Sequence, residues 1–245
     1  MCEHCIDAAI AYPHPTRRSI LTLATAAGAA FAAAPHAFAA PPKAPPKPEN
    51  VLTPDAALAR LMKGNARYVE GATKRHDFSH EREVLSSGQN PFAAILSCAD
   101  SRIAPEYCFD TARGDLFVCR VAGNFASDEM VASLEYAVQV LNTPLILVLG
   151  HDSCGAVDAT IKSVKDGTTL PGHLPSLVAA IKPAVDAVSG QSGDMLANAI
   201  QRNVTLNVDK LKTTAPILQS FVADKKIRVV GGIYKLQTGR VAFLS

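Results

Sequence analysis

The chain has 245 residues, 48% of them hydrophobic, and its 24 basic residues nearly balance 22 acidic ones. This composition argues against a disordered chain, and the length suits one sizeable domain or two small ones. A net charge of +2 lacks the basic excess that holds a phosphate backbone, so no nucleic-acid partner is expected.

The first 39 residues have the composition of an export signal. No acidic residue occurs between Asp7 and Glu49, and Arg17-Arg18 precede an apolar run over residues 20–34 that is too short for an anchored bilayer span. Ala37-Phe38-Ala39 supplies a cleavage pattern for a signal peptidase. The sequence predicts a signal peptide over residues 1–39, of the twin-arginine type or else an ordinary secretory signal. The mature protein is then expected in the periplasm or outside the cell, without a stable membrane anchor.

A proline-rich segment follows the predicted signal. Pro41 to Pro48 contains only proline, lysine and alanine and has no apolar periodicity, which is typical of a stiff, extended spacer. We therefore predict a linker over residues 40–50 and one domain over residues 51–245.

The remaining sequence predicts alternating helices and strands. A helix starts at Thr53-Pro54 and ends near Gly71, and a short helix is expected over residues 81–87. Continuous apolar runs predict buried strands, and further helices are expected between them. A turn at residues 238–239 is expected to lead into an edge strand. The strands cover residues 92–96, 116–119, 145–149, 227–231 and 241–243, and the helices cover residues 128–140 and two or three segments within 175–224. This alternation predicts an α/β fold in which helices flank a mainly parallel sheet of four strands plus an edge strand.

Three residues of metal-ligand type follow two of these strands. Cys98 comes after the first strand, and His151 and Cys154 come after the third. Because ligands bind at the carboxyl ends of parallel strands, the three side chains converge if the two strands are neighbours. Two thiolates and an imidazole suit Zn²⁺ and leave a fourth position for water. The sequence thus predicts a catalytic zinc site, although a single buried cysteine is more often a core residue.

Asp100 and Arg102 are the predicted catalytic pair beside that site. They are two residues apart, so in an extended segment both side chains project to the same side. An ionised Asp100 can only accept a hydrogen bond, and it would orient a zinc-bound hydroxide. Two alternatives stay open: Asp100 could be a fourth zinc ligand in a closed state, or the pair could be a solvated surface ion pair.

The other four cysteines are not predicted to bind the metal. Cys2 and Cys5 fall in the signal, and Cys108 and Cys119 are expected to be packing thiols. A disulfide between Cys108 and Cys119 remains open in an oxidising compartment.

The combined motif resembles that of the β-class carbonic anhydrases. Cys98-x-Asp100-x-Arg102 stands about fifty residues before His151-x-x-Cys154-Gly155, and the resemblance continues through residues 114–118, 120–124 and 133–137. It covers roughly residue 53 to the C-terminus. It implies one Zn²⁺ per subunit on Cys98, His151 and Cys154, with Asp100 and Arg102 as the catalytic pair. It also implies a homodimer or a dimer of dimers.

The resemblance further implies reversible hydration of CO2 to bicarbonate and a proton. Gln89 stands where the plant-type branch has a substrate-binding glutamine, and Gly155 is a second substrate-binding candidate. Ile95 stands where the bicarbonate-regulated branch has tryptophan, so that regulation is not expected. Asp152 and His173 are candidates for proton transfer. A CS2 or COS hydrolase, or a zinc- or bicarbonate-binding protein without turnover, remains an alternative.

Overall fold

A five-stranded sheet runs through the part of the chain that the structure, a computed structural model, describes, namely residues 45–244. The predicted signal peptide and the first half of the predicted linker lie outside these residues. The sheet has the order β2-β1-β3-β4-β5; β1 to β4 are parallel, and β5 is antiparallel to β4. The strands are β1 (Ala93–Ser97), β2 (Leu116–Arg120), β3 (Leu145–His151), β4 (Arg228–Tyr234) and β5 (Val241–Leu244). The predicted fold class is therefore confirmed.

Helices flank this sheet. They are α1 (Pro54–Val69), α2 (Phe78–Leu85), α3 (Pro105–Cys108), α4 (Asp128–Gln139), α5 (Gly155–Asp166), α6 (Leu174–Val188), α7 (Met195–Thr213) and α8 (Ile217–Ala223). Helix α2 begins before the predicted residue 81, because Asp77 accepts hydrogen bonds from the amides of Ser79 and His80. Helices α3 and α5 were not predicted. Within residues 45–244, no helix has the length and apolarity to cross a bilayer.

The topology creates a crevice between β1 and β3. The chain crosses from β1 to β2 on one side of β1 and later returns to place β3 on the other side. Ser97, the last residue of β1, is in register with Leu149 of β3, so both strands end at the same edge of the sheet. Ligand sites of parallel α/β sheets lie at such a reversal of strand order. Every residue of β1 and β3 is buried, as their continuous apolar runs predict.

The end of the predicted linker packs on the domain instead of forming a free spacer. Lys47 and Asn50 are buried, and both bond to the carboxylate of Asp115 just before β2. Arg60 of α1 donates to the other oxygen of the same carboxylate at 3.1 Å. A buried carboxylate requires charged or hydrogen-bonding partners, and residues 47–50 supply two of them.

Gly64 allows helix α1 to approach the backbone at the end of α3. A Cβ atom at this position would lie 1.9 Å from the carbonyl oxygen of Phe109. We expect Gly64→Ala to lower the free energy of unfolding by about 1–3 kcal/mol, because the helix must move away from a rigid backbone atom. Urea denaturation measures this change.

Gly88→Ala is the matched control, since its nearest heavy atom would be 3.9 Å away. It should change the stability by less than about 0.5 kcal/mol. Equal stability of Gly64→Ala and the wild type would show that α1 does not require this close approach.

Candidate metal centre

The structure brings Cys98, His151 and Cys154 together at the crevice. Cys98 directly follows β1, His151 is the last residue of β3, and Cys154 ends the short turn before α5. Their ligand atoms all lie within 4.8 Å of one another, and all three residues are buried. The side chains converge because β1 and β3 are adjacent and parallel.

The imidazole of His151 has one nitrogen available to a metal. Its Nδ1 lies 2.8 Å from the carbonyl oxygen of Asp152, which assigns the proton to Nδ1. The lone pair is then on Nε2, which is buried and has no hydrogen-bond partner among the described residues. A buried nitrogen left without a partner is costly, and coordination of a metal ion would satisfy it.

The two thiols favour different charge states when no cation is present. The neighbouring thiol of Cys154 and the Gly123 amide lower the pKa of Cys98 to about 4, although burial opposes this shift. The hydrogen bond with Cys98, together with burial, raises the pKa of Cys154. Two thiolates this close repel each other in a buried site, so the second can ionise only if a cation joins them. This donor set of two thiolates and one imidazole fits Zn²⁺.

Asp100 and Arg102 form a pair directly beside the three ligand residues. Arg102 Nε donates to Asp100 Oδ1 at 2.9 Å, and Nη2 donates to Oδ2 at 2.7 Å. This guanidinium holds the pKa of Asp100 well below its usual range. Asp100 Oδ2 lies 3.8 Å from His151 Nε2, so the carboxylate faces the ligand triad while Arg102 holds it.

Main-chain groups around the ligands were not predicted from the sequence. The Gly123 amide donates to Cys98 Sγ at 3.3 Å, and Arg120 donates to the carbonyl oxygens of Cys98 and Asp100 at 3.0 and 2.7 Å. Ser153 has a φ of 54°, a left-handed conformation that is uncommon for a residue other than glycine. Residues 120–124 belong to the family-like motif, but side-chain types alone do not show where backbone amides point.

Gln89 does not join this site within one chain. It is exposed in the loop before β1, whereas Cys98 follows the opposite end of that strand. Five strand residues span about 16 Å, so the length of β1 separates the glutamine from the metal ligands. Gly155 is next to the site: it is the exposed first residue of α5, directly after Cys154, and no atom lies within 4 Å of the place a Cβ would take.

The remaining predicted residues lie outside the ligand cluster. Cys108 and Cys119 are separate buried thiols, so the disulfide left open above is absent from this structure. Burial raises the pKa of Cys108 to about 12, as expected for a packing thiol. Asp152 uses Oδ1 to accept a hydrogen bond from the Leu236 amide at 2.9 Å, and His173 is exposed just before α6.

Comparisons with known proteins agree with the fold and with the family that the motif resembles. A family model described as carbonic anhydrase matches residues 93–241. Carbonic anhydrase 2 of Mycobacterium tuberculosis is 39% identical over 188 residues, which cover 76% of this chain and 91% of the relative. A carbonic anhydrase of Mycolicibacterium smegmatis is 38% identical over 195 residues, covering 78% of this chain and 94% of the relative.

Two solved structures extend this likeness to the class. The β-carbonic anhydrase CcaA has a TM-score of 0.58 and 28% identity, and the match covers 77% of this chain and 95% of that one. The Coccomyxa β-carbonic anhydrase, solved with acetazolamide, has a TM-score of 0.60 and 27% identity, covering 76% and 86%. With the family match over residues 93–241, these likenesses show that the chain belongs to the β-class carbonic anhydrases, enzymes that hydrate CO2.

Proposed function

We propose that this enzyme hydrates CO2 reversibly with one Zn²⁺ per subunit, held by Cys98, His151 and Cys154. The observation that carries this proposal is the buried Nε2 of His151, which has no partner among the described residues and lies within 4.8 Å of two thiols. The donor set matches the ligands that catalytic zinc sites use, with three protein ligands and one open position.

The residues beside the ligands would orient the attacking oxygen. Zinc, when bound, supplies the Lewis acidity that makes water a nucleophile near neutral pH. Asp100 stays ionised because Arg102 lowers its pKa, so its Oδ2 can only accept a hydrogen bond. When Asp100 accepts the hydrogen of the attacking OH group, a lone pair of the attacking oxygen is directed toward CO2. Arg102 keeps both carboxylate oxygens in place through its two bonds.

Stopped-flow CO2 hydration across pH, with zinc content measured on the same sample, tests the proposed function. We expect hydration well above the buffer rate in samples that contain zinc. Bound zinc without such turnover would instead indicate a binding protein without catalysis. Including CS2 and COS as substrates separates the hydrolase alternative, which would turn over those compounds in preference to CO2.

Cys98→Ser tests the ligand assignment. An alcohol is a far poorer zinc ligand than a thiolate, so we expect the zinc content to fall from near one per chain to well below one. Metal analysis after dialysis against a chelator measures this. Cys119→Ser is the matched control, because Cys119 is also a buried free thiol and is not in the ligand cluster, and it should retain zinc. Zinc near one per chain in Cys98→Ser would reject the assignment.

Asp100→Ala tests the orienting role. The variant should keep its zinc but lose about 100-fold in kcat/KM, because the attacking group is no longer held in the productive orientation. Asp158→Ala is the control: Asp158 forms an exposed ion pair with Lys162 on α5 and should leave kcat/KM unchanged. An unchanged kcat/KM in Asp100→Ala would leave Asp100 without a catalytic role.

We also propose that the enzyme is at least a dimer and that Gln89 serves the site of a partner subunit. Strand β2 is an edge strand, and its apolar residues 116–118 are only half-buried. Tyr136 and Val140, at the end of α4, are 46% and 55% exposed. An apolar sheet edge of this kind favours association with a second copy. Because the length of β1 separates Gln89 from Cys98 of the same chain, Gln89 can serve only the site of another subunit.

A mixed dimer tests this assignment of Gln89. One subunit carries Gln89→Ala and the other carries Cys98→Ser, with different tags for purification. The only zinc site is then in the Gln89→Ala subunit, and its partner has an intact Gln89. We expect kcat/KM per zinc to return to the wild-type value. A value equal to that of the Gln89→Ala homodimer would exclude action between subunits, and a sedimentation mass of one chain would exclude the dimer.

A further inference from the structure

Helix α7 supplies none of the three candidate metal ligands, yet it contacts strand β3 and the segment that follows β2. Val204 lies so close to Gly150, the residue before His151, that a Cβ on this glycine would be 2.6 Å from its side chain. Asn203, the preceding residue of α7, donates through Nδ2 to the carbonyl oxygen of Gly123 at 2.8 Å. This carbonyl belongs to the residue whose amide donates to Cys98 Sγ.

The segment that carries this amide has no regular secondary structure of its own. Gly123 and Asn124 have φ values of 83° and 40°, and residues 121–127 lie between β2 and α4. A glycine with positive φ has many accessible conformations, so its orientation depends on external bonds. Asn203 binds the carbonyl of the peptide that follows Gly123. The amide that contacts Cys98 belongs to the peptide that precedes Gly123.

Asn207, one helical turn further along α7, supports the same segment. Its Oδ1 accepts from the Ala126 amide at 2.7 Å, and its Nδ2 donates to the backbone carbonyl of Asn203 at 2.8 Å. The same Nδ2 lies 3.2 Å from Asn203 Oδ1. At the surface, Lys210 Nζ donates to the Ala126 carbonyl at 2.6 Å. Asn203 and Asn207 are 2% and 7% exposed, so these bonds form away from water.

We propose that Asn203, supported by Asn207, is a positioning residue for the Cys98 thiolate. It holds Gly123 so that its amide points at Cys98 Sγ, and it thereby sets how strongly this sulfur binds zinc. The proposal rests on the zinc site of the proposed function. A hydrogen bond to a ligand sulfur stabilises the negative charge and fixes the direction of its lone pairs, and loss of such a supporting contact costs about 10- to 100-fold in metal affinity.

Asn203→Ala in the full mature chain tests the proposal, with Asn65→Ala as the matched control. Asn65 is also a buried asparagine that donates to two backbone carbonyls, those of Cys108 and Gly239 at 2.9 and 2.8 Å, but it is not part of the site. Zinc affinity is measured by competition with a chelator. We expect Asn203→Ala to lose at least about 10-fold and Asn65→Ala to stay within about twofold of the wild type.

The absorption spectrum of the cobalt-substituted protein provides a readout that a general loss of stability would not move. Without the amide bond the filled orbitals of the Cys98 sulfur lie higher in energy, while the sulfur itself is held less firmly in the orientation that binds the metal. The sulfur-to-cobalt charge-transfer band of Asn203→Ala should then shift to longer wavelength, whereas that of Asn65→Ala should not move. Wild-type zinc affinity and an unshifted band in folded Asn203→Ala would overturn the proposal.

Lys210→Met keeps the test decisive if Asn203→Ala does not fold. Lys210 is exposed, and it anchors the same segment through Ala126, so this variant should fold and show a smaller loss of zinc affinity in the same direction. Unchanged affinity in Lys210→Met would then count against the proposal. Failure of the wild type itself to bind zinc would instead reject the proposed zinc site, so the two failures are distinguishable.

Discussion

The mutual repulsion of two buried thiolates is the constraint on which the site depends. Cys98 and Cys154 lie within a few ångströms of each other in a region that excludes water, and without a cation only Cys98 ionises readily. A divalent ion at this position would relieve the repulsion and at the same time satisfy Nε2 of His151. Metal binding and ionisation of the second thiol are therefore linked, and each proton released strengthens the hold on the ion.

The sheet topology determines which groups can meet at that point. The three candidate ligands come from the ends of two neighbouring strands, and the pair of Asp100 and Arg102 follows one of these strands within a few residues. Arg102 binds both oxygens of Asp100 and holds the carboxylate beside Cys98, His151 and Cys154.

The sequence was informative for those elements whose structure depends on a single property of the residues, such as apolarity or the ability to bind a metal. Continuous apolar runs identified the strands buried on both faces, and Cys98, His151 and Cys154 were recognisable as candidate metal ligands because few other residue types suit zinc. Tertiary contacts decided the rest. The packing of Lys47 depends on a carboxylate 68 residues away, and the start of α2 depends on a side-chain cap. The position of Gln89 relative to Cys98 follows from the direction of a strand, which residue spacing along the chain does not reveal.

The bonds that support two of the candidate ligands come from the main chain, and this affects how the site tolerates mutation. The carbonyl of Asp152 fixes His151, and the amide of Gly123 contacts Cys98. No substitution removes the backbone carbonyl of Asp152, and only proline would remove the amide of Gly123. Other mutations can therefore only move these two groups out of place. Selection then acts on the residues that hold these peptides in place. Such residues can lie far along the chain, and they can be exchanged together while the ligands themselves stay fixed.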